Sequence, residues 1–280
     1  MRNEPTSALV RGWLRSRPRL WRRLRATRLA IGRRMPPRAV EGVDGPVHPN
    51  DLMLRGRRPA DVAHYRSVAD TVLAALDRHA PGWDAGAPVL DVGCGYGRLT
   101  RRLVQRVDPA LVTVNDIDAD AVSFCASAFG VVGADDLGRL RRERPASFGT
   151  IVLLTVLTNV DASAFDDLLD SCAELLAPGG VLLVTTHGAT AATSRVAHFG
   201  AAVESRHAAI ADDLERHGIS FHPYRHGTGA LGLTWHAAAF VVERAAAAGL
   251  ELVALDEAAL DGVQDVWVLR RPETAADDRR

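Results

Sequence analysis

The chain has 280 residues, of which 47% are hydrophobic and 24% are charged, and its formal net charge is zero. This composition predicts a folded core and excludes a largely disordered chain. The charge is uneven, because residues 1–38 contain twelve arginines and one acid, Glu4, which leaves an acidic remainder. An acidic body is a poor partner for a nucleic-acid backbone, so we expect no nucleic-acid binding.

The cysteines and the hydropathy pattern bear on the compartment. Cys94, Cys125 and Cys172 are far apart in the sequence and form no metal-binding or disulfide motif, so we expect neither a metal site nor a disulfide. No apolar stretch has the length of a transmembrane helix, and the N-terminus lacks the features of a secretion signal. We therefore expect a protein of the reducing cytoplasm.

Residues 1–48 form a predicted basic N-terminal arm and linker. Two short amphipathic patterns, one around Trp13 and one around Trp21, are separated by Pro18, and Pro36 and Pro37 end the segment. One interpretation is a loosely held arm. The other is a helix lying on an anionic membrane surface or on a partner, with the arginines outward and the tryptophans buried.

Residues 49–272 form the predicted catalytic domain, in which helices and strands alternate. We expect strands at 88–92, 111–115, 131–132, 148–155 and 181–186, and helices at 61–78, 98–107, 119–129 and 164–176, with another helical stretch ending near 144. Such alternation predicts a parallel sheet covered by helices on both faces. Ligands of such sheets bind beyond the carboxyl ends of the strands.

The alternation stops after residue 186. We expect residues 187–231 to be a lid or substrate-binding insertion that includes a helix near 202–216. The spacing then predicts a helix at 234–248, strands at 250–255 and 265–269, and a disordered tail at 273–280.

The segment DVGCGYG, which follows the first strand, is the strongest chemical signal. Gly93, Gly95 and Gly97 allow a tight turn and the close approach of a ligand, and the helix predicted from Arg98 presents unpaired N–H groups. The spacing G-x-G-x-G differs from the G-x-G-x-x-G of dinucleotide-binding proteins. The carboxylate of Asp91 suits a cation better than a pyrophosphate. A ligand with a sulfonium, an amine and one carboxylate fits this combination.

The second strand ends in an acid that supports the same ligand. Asp116 lies 23 residues after Gly93, where a carboxylate can accept hydrogen bonds from both ribose hydroxyls. The alternative is an exposed acid that caps the helix at 119–129, but Asp118 is better placed for that cap.

Four segments in order resemble the motifs of class I S-adenosylmethionine-dependent methyltransferases: VLDVGCGYGRLT, VNDIDADAV, FGTIVLLTVLTNVD and LLAPGGVLLVTTHG. The resemblance covers residues 60–187 and, more weakly, the last 50. It implies an α/β fold, Rossmann-like and doubly wound, with a seven-stranded, mostly parallel sheet and helices on both faces. It also implies S-adenosylmethionine as the cofactor. The C-terminal LDGVQDVWVLRR resembles a bacterial subgroup associated with glycan or secondary metabolism.

The resemblance assigns the cofactor residues by position. Asp91, Gly93, Cys94, Gly95 and Gly97 would surround the methionine end, and Asp116 would hold the ribose. Ile117 would pack on the adenine, and Asp135 or Asp136 would meet its amine. Leu154 and Thr155 would form the floor.

The expected reaction is methyl transfer, at oxygen, to a small molecule or glycan. His187 is the first candidate for a general base, and the alternative is a histidine that orders the local turn. We expect Asn159, His222, Tyr224 and His226 to contact the substrate, although Asn159 stands where the subgroup pattern has a histidine. The alternatives are methylation of RNA or protein, S-adenosylmethionine binding without transfer, and an NAD-dependent oxidoreductase.

Overall fold

The computed structural model describes residues 27–194, 206–224 and 231–273, and a short helical segment at 27–34 begins it. The helices that follow are α1 Pro59–His79, α2 Thr100–Leu103, α3 Ala119–Phe129, α4 Leu137–Glu143, α5 Ala162–Leu175, α6 Ala189–Thr193, α7 His207–His217 and α8 Ala238–Ala247. The strands are β1 Val89–Val92, β2 Val112–Asn115, β3 Val132–Ala134, β4 Phe148–Leu153, β5 Leu176–His187, β6 Ile219–Pro223, β7 Gly232–His236, β8 Glu251–Leu260 and β9 Gln264–Arg270.

Seven strands form one sheet in the order β3-β2-β1-β4-β5-β9-β8. The first five in this order run parallel, whereas β9 is antiparallel to β5 and β8 is antiparallel to β9. The predicted seven-stranded, mostly parallel sheet is therefore confirmed. The strand order reverses between β1 and β4, so the carboxyl ends of β1, β2 and β4 meet at a switch point where ligands bind.

Helices cover both faces of this sheet and bury its central strands, whereas the edge strands β3 and β8 are partly exposed. Val72 of α1 and Leu103 of α2 pack in the cluster on one face, and Phe165 and Leu169 of α5 pack in the cluster on the other. All four residues of β1 are buried. Burial on both faces explains why the strands are continuous apolar runs rather than alternating ones.

One predicted element was wrong. Residues 234–248 form the end of β7 followed by α8, rather than one helix. β7 pairs antiparallel with β6, opposing Trp235 to Ser220 and Thr234 to Phe221. Threonine and tryptophan favour strands where a partner strand is available, and this pairing overrides the helical spacing.

Other differences concern element boundaries. The helix expected at 98–107 is reduced to Thr100–Leu103, the short strand at 131–132 is Val132–Ala134, and β5 begins at Leu176 instead of 181. The helix expected at 202–216 is described from His207 to His217, and its earlier part lies outside the described residues.

The small β6–β7 sheet of the insertion docks on the end of the main sheet. Leu231 forms a β-bridge with Val160, and the hydroxyl of Thr234 donates to the Val160 carbonyl at 2.6 Å. The Nδ1 of His187 lies 3.0 Å from the Thr234 carbonyl. The insertion is therefore attached to the end of the sheet at which ligands are expected. The predicted lid role and domain boundaries stay predictions.

None of the helices within the described ranges combines the length and the hydropathy that crossing a bilayer requires. The tail at 274–280 and the arm before residue 27 lie outside the described residues.

Candidate functional site

The glycine-rich loop after β1 is tied to the end of β2. The N–H groups of Gly93 and Cys94 donate to the Asn115 carbonyl at 2.7 and 3.0 Å. The N–H of Gly95 donates to Asp116 Oδ2 at 2.8 Å, and the N–H of Asp118 donates to Asp116 Oδ1 at 2.8 Å. The Asp116 carboxylate therefore fixes the two loops relative to each other.

The three glycines of this loop serve different purposes. All have positive φ: 74° at Gly93, 50° at Gly95 and 81° at Gly97. A Cβ at Gly93 would lie 2.4 Å from Val156 Cγ2, and one at Gly97 would lie 2.5 Å from the Phe129 ring. A Cβ at Gly95 would meet nothing within 4 Å. Gly93 and Gly97 thus permit close packing, whereas Gly95 borders open space that a ligand can occupy.

A cavity of about 530 Å³ opens beside this loop. Seven of the predicted site residues line it: Gly93, Asp116, Ile117, Asp135, Leu154, Thr155 and Asn159. Its walls are mainly apolar, with carboxylates among them, and Ile117 is 90% exposed. A largely apolar cavity with a few convergent polar groups is typical of a small-molecule site.

Two predicted acids occupy other positions near the cavity. Asp91 is buried beneath the loop, where its carboxylate accepts a hydrogen bond from the Thr100 hydroxyl at 2.7 Å. Burial raises the pKa of Asp91 to about 7, against the lowering effect of the Thr100 hydrogen bond. Asp136 caps α4 by accepting from the Arg139 N–H at 2.9 Å, and this bond lowers its pKa. Of the two candidates for the adenine amine, Asp135 is therefore the one that lines the cavity.

The cavity has a wall that the sequence analysis missed. One face of α5 contributes Ala164, Asp167, Leu168 and Ser171. These residues follow the i, i+3, i+4, i+7 spacing of one helix face. This spacing is the feature of the sequence from which the wall could have been predicted. Val156, Val160 and Leu231, from the loop after β4 and from the insertion, also line the cavity and were not predicted.

The turn after β4 is strained and strongly held. Thr155 has φ 60°, which is rare for a β-branched residue. Its carbonyl accepts from the Thr158 hydroxyl at 2.9 Å and from the Asn159 amide at 2.7 Å, and its N–H donates to the Thr185 hydroxyl at 2.8 Å. Strain of this kind persists where the surroundings over-determine it, often at functional sites.

Asn159 also meets the insertion. Its Oδ1 accepts from the Tyr224 hydroxyl at 2.6 Å, and Tyr224 is 44% exposed. The structure thus brings together two of the four predicted substrate residues at the rim of the cavity.

The predicted histidines lie elsewhere. His187 is buried and contacts the Trp235 ring, and its Nδ1–H donates to the Thr234 carbonyl. It is not among the residues that line the cavity. His222 contacts the hydroxyl of Ser220 at 3.0 Å, and burial, with the charge of Arg206, lowers its pKa. His226 lies outside the described residues. The catalytic and substrate roles of these histidines stay predictions.

Residues 89–180 match the family model described as a methyltransferase domain. These are the residues that carry the glycine loop, Asp116 and the turn after β4. Residues 89–180 therefore form a methyltransferase domain.

The methyltransferase domain is similar to several named enzymes. It is 35% identical over 124 residues to the ubiquinone biosynthesis O-methyltransferase of Xylella fastidiosa strain 9a5c, covering 42% of this chain and 48% of that protein. It is 30% identical over 157 residues to the human mitochondrial ubiquinone biosynthesis O-methyltransferase, covering 52% and 38%. A fatty-acid O-methyltransferase of Mycolicibacterium smegmatis is 30% identical over 107 residues, covering 36% and 37%. The chain thus spans about half, or less, of the length of these relatives.

Solved structures share the fold of this methyltransferase domain. The magnesium protoporphyrin IX methyltransferase of Synechocystis has a TM-score of 0.52 at 17% identity, covering 76% of this chain and 88% of that one. The 1,6-didemethyltoxoflavin-N1-methyltransferase of Burkholderia thailandensis has a TM-score of 0.51 at 17% identity, covering 75% and 79%. Both of those proteins have S-adenosylhomocysteine bound.

Gly93 tests how closely the loop must pack. We predict that Gly93→Ala weakens S-adenosylhomocysteine binding by about tenfold or more, because the new Cβ displaces Val156 from the cavity wall. Isothermal titration calorimetry measures the affinity. The matched control is Gly86→Ala, which also has positive φ but has nothing within 4 Å of the new Cβ. Equal affinities for the two variants would contradict the packing role.

Proposed function

We propose that the protein transfers the methyl group of S-adenosylmethionine to an oxygen atom of a small molecule or glycan. The observation that carries this proposal is the Asp116 carboxylate, which clamps the glycine loop at the mouth of the 530 Å³ cavity. Relatives named as a ubiquinone biosynthesis O-methyltransferase and a fatty-acid O-methyltransferase support oxygen as the acceptor atom. The three cysteines are free thiols, which is consistent with a cytoplasmic protein.

The residues around the cavity fit the proposed cofactor. Asp116 and Asp135 present carboxylates for the ribose hydroxyls and the adenine amine, and Ile117 presents an exposed apolar surface for the ring. The open space at Gly95 accommodates the methionine end, above the buried carboxylate of Asp91. When bound, the cofactor supplies an already activated methyl group on a cationic sulfur.

The protein's own contribution is then alignment and the exclusion of water. The strained turn at Thr155 holds Val156 against Gly93, and Leu231 of the insertion also lines the cavity. Alignment of two reactants can contribute about 7–11 kcal/mol to a reaction of this kind. Apolar walls at Val156 and Leu231 favour an acceptor whose reacting end is apolar around its hydroxyl or carboxyl group.

Asp116 tests cofactor binding directly. We predict that Asp116→Ala weakens S-adenosylhomocysteine binding by about 10- to 1000-fold, because charge-assisted hydrogen bonds to the ribose are lost. Calorimetry measures the affinity, and thermal unfolding checks that the variant folds. Asp108→Ala is the matched control, since Asp108 caps the turn at the opposite end of the same strand. Unchanged affinity in a folded Asp116→Ala protein would refute the proposed cofactor site.

Asp91 predicts a pH dependence that distinguishes cofactor from product. Burial holds the pKa of Asp91 near 7, so the carboxylate becomes ionised as the pH rises through about 7. An ionised Asp91 favours the sulfonium of S-adenosylmethionine but not the neutral sulfur of S-adenosylhomocysteine. We therefore expect the affinity for S-adenosylmethionine, relative to that for S-adenosylhomocysteine, to rise as the pH rises through about 7. The total rise should be about tenfold for each unit by which bound S-adenosylmethionine lowers the pKa of Asp91. A flat ratio in the wild type, or the same rise in Asp91→Asn, would exclude this role.

The variant His187→Gln distinguishes two roles for His187, which are a general base and a residue that anchors the insertion. We propose the base role, for which His187→Gln should lower kcat by about 10²- to 10⁴-fold and remove the acid limb of its pH profile. The assay uses labelled S-adenosylmethionine and an acceptor found in a panel of phenols, hydroxylated lipids and glycans. The exposed His217→Gln is the control. Reduced thermal stability with unchanged kcat would instead assign His187 to the hydrogen bond with Thr234.

A further inference from the structure

The first part of the described chain, residues 27–58, presents exposed apolar and basic side chains together. The apolar ones are Ile31, Leu52 and Met53, which are 55%, 39% and 50% exposed. Among the exposed basic ones are Arg28, Arg34, Arg55 and Arg57. We name these seven residues the docking face. Exposed apolar side chains beside arginines are the pattern of segments that lie in a membrane interface.

Asn50 joins the two halves of the docking face. Its side-chain amide donates to the Leu29 carbonyl at 3.0 Å, and Gly32 packs so closely that a Cβ there would lie 1.9 Å from Asn50 Oδ1. The helical segment at 27–34 is therefore held beside the loop that carries Leu52 and Met53. A groove of about 310 Å³ lies within the same stretch of chain, with Arg38 and Arg57 among its lining residues.

The arginines of the docking face are available for an external anion. Two of the three acids within this segment are engaged elsewhere: Asp44 pairs with Arg102 at 3.2 Å, and Asp51 accepts from the Tyr65 hydroxyl at 2.7 Å. The third, Glu41, is exposed. The nearby Asp61 pairs with Arg58 at 3.0 Å. Arg55 and Arg57 form no ion pair with another described residue. Within the described part of the protein, neither guanidinium is therefore held in an ion pair by a carboxylate.

The docking face lies beside the mouth of the cavity. Arg33, in the same helical segment, pairs with Asp118 at 3.8 Å and also with Asp120. Both acids follow Ile117, which lines the cavity and is 90% exposed. A surface that contacts the docking face therefore also approaches the entrance of the proposed methyl-transfer site.

We propose that the docking face binds the surface of membranes that contain anionic phospholipids. Leu52, Met53 and Ile31 enter the interfacial layer, and the arginines contact lipid phosphates. Charge complementarity favours this occupant, because the stretch 1–38 adds further arginines, with Trp13 and Trp21 in amphipathic patterns. Protruding apolar side chains distinguish this face from a purely electrostatic surface for nucleic acid.

Sedimentation with lipid vesicles tests the proposal on the full chain, without reference to methyl transfer. We expect binding to vesicles of equimolar phosphatidylcholine and phosphatidylglycerol, weak binding to phosphatidylcholine alone, and a loss of affinity as salt increases. The double variant Arg55→Gln, Arg57→Gln should bind the anionic vesicles about tenfold or more weakly, since each arginine near an anionic surface raises the affinity about fivefold. The double variant Leu52→Ser, Met53→Ser should also bind these vesicles about tenfold or more weakly, because two apolar side chains no longer enter the lipid layer.

Matched variants on other surfaces complete the experiment. Leu252→Ser, Val253→Ser removes two apolar side chains of comparable exposure, 45% and 38%, from the strand at the far edge of the sheet. Arg78→Gln removes an exposed arginine near the other end of α1. Both should bind vesicles like the wild type. Each of three results would overturn the proposal. The first is an equal loss of vesicle binding in these controls, and the second is no preference for anionic vesicles. The third is stronger binding to single-stranded RNA than to vesicles, abolished by the Arg55 and Arg57 changes.

Discussion

The hydrogen bonds between the glycine loop and the end of β2 are the constraint on which the site depends. Gly93 and Cys94 donate to the Asn115 carbonyl, Gly95 donates to Asp116, and Gly97 donates to the Cys94 carbonyl. These N–H groups are used within the protein. A phosphate-binding loop needs the corresponding groups free to cradle an anion. The same residues therefore disfavour a dinucleotide and leave a carboxylate-rimmed space that suits an uncharged ribose and a cationic sulfur.

A second set of hydrogen bonds couples this loop to the insertion. The strained turn at Thr155 places Val156 against Gly93, and the same turn is held by Asn159. Asn159 in turn accepts a hydrogen bond from Tyr224 of the insertion. Movement of the β6–β7 sheet would therefore act on the cavity wall through a short chain of contacts. This arrangement provides a physical route by which an acceptor held by the insertion can influence cofactor geometry.

The sequence predicted elements correctly where short-range contacts determine the structure and where both faces of a strand are buried. Apolar runs such as 148–155 identified the parallel strands, and the resemblance placed Asp116 correctly on the cavity. The sequence pattern was misleading at β7, because the strand character of Thr234 and Trp235 depends on pairing with β6. It also gave no indication of the α5 wall, since Leu168 and Ser171 have the spacing of an ordinary core-facing helix. Such residues become site residues only through the position of their helix beside the switch point.

The distribution of charge connects the cavity with the docking face. Three acids, Asp116, Asp135 and Asp167, are among the residues that line the cavity, and an anionic membrane would repel them. Arg33 pairs with two further acids near the entrance, Asp118 and Asp120, and so reduces the negative charge there. The exposed arginines of the docking face then meet the membrane first, and the acidic cavity keeps its attraction for a cationic cofactor.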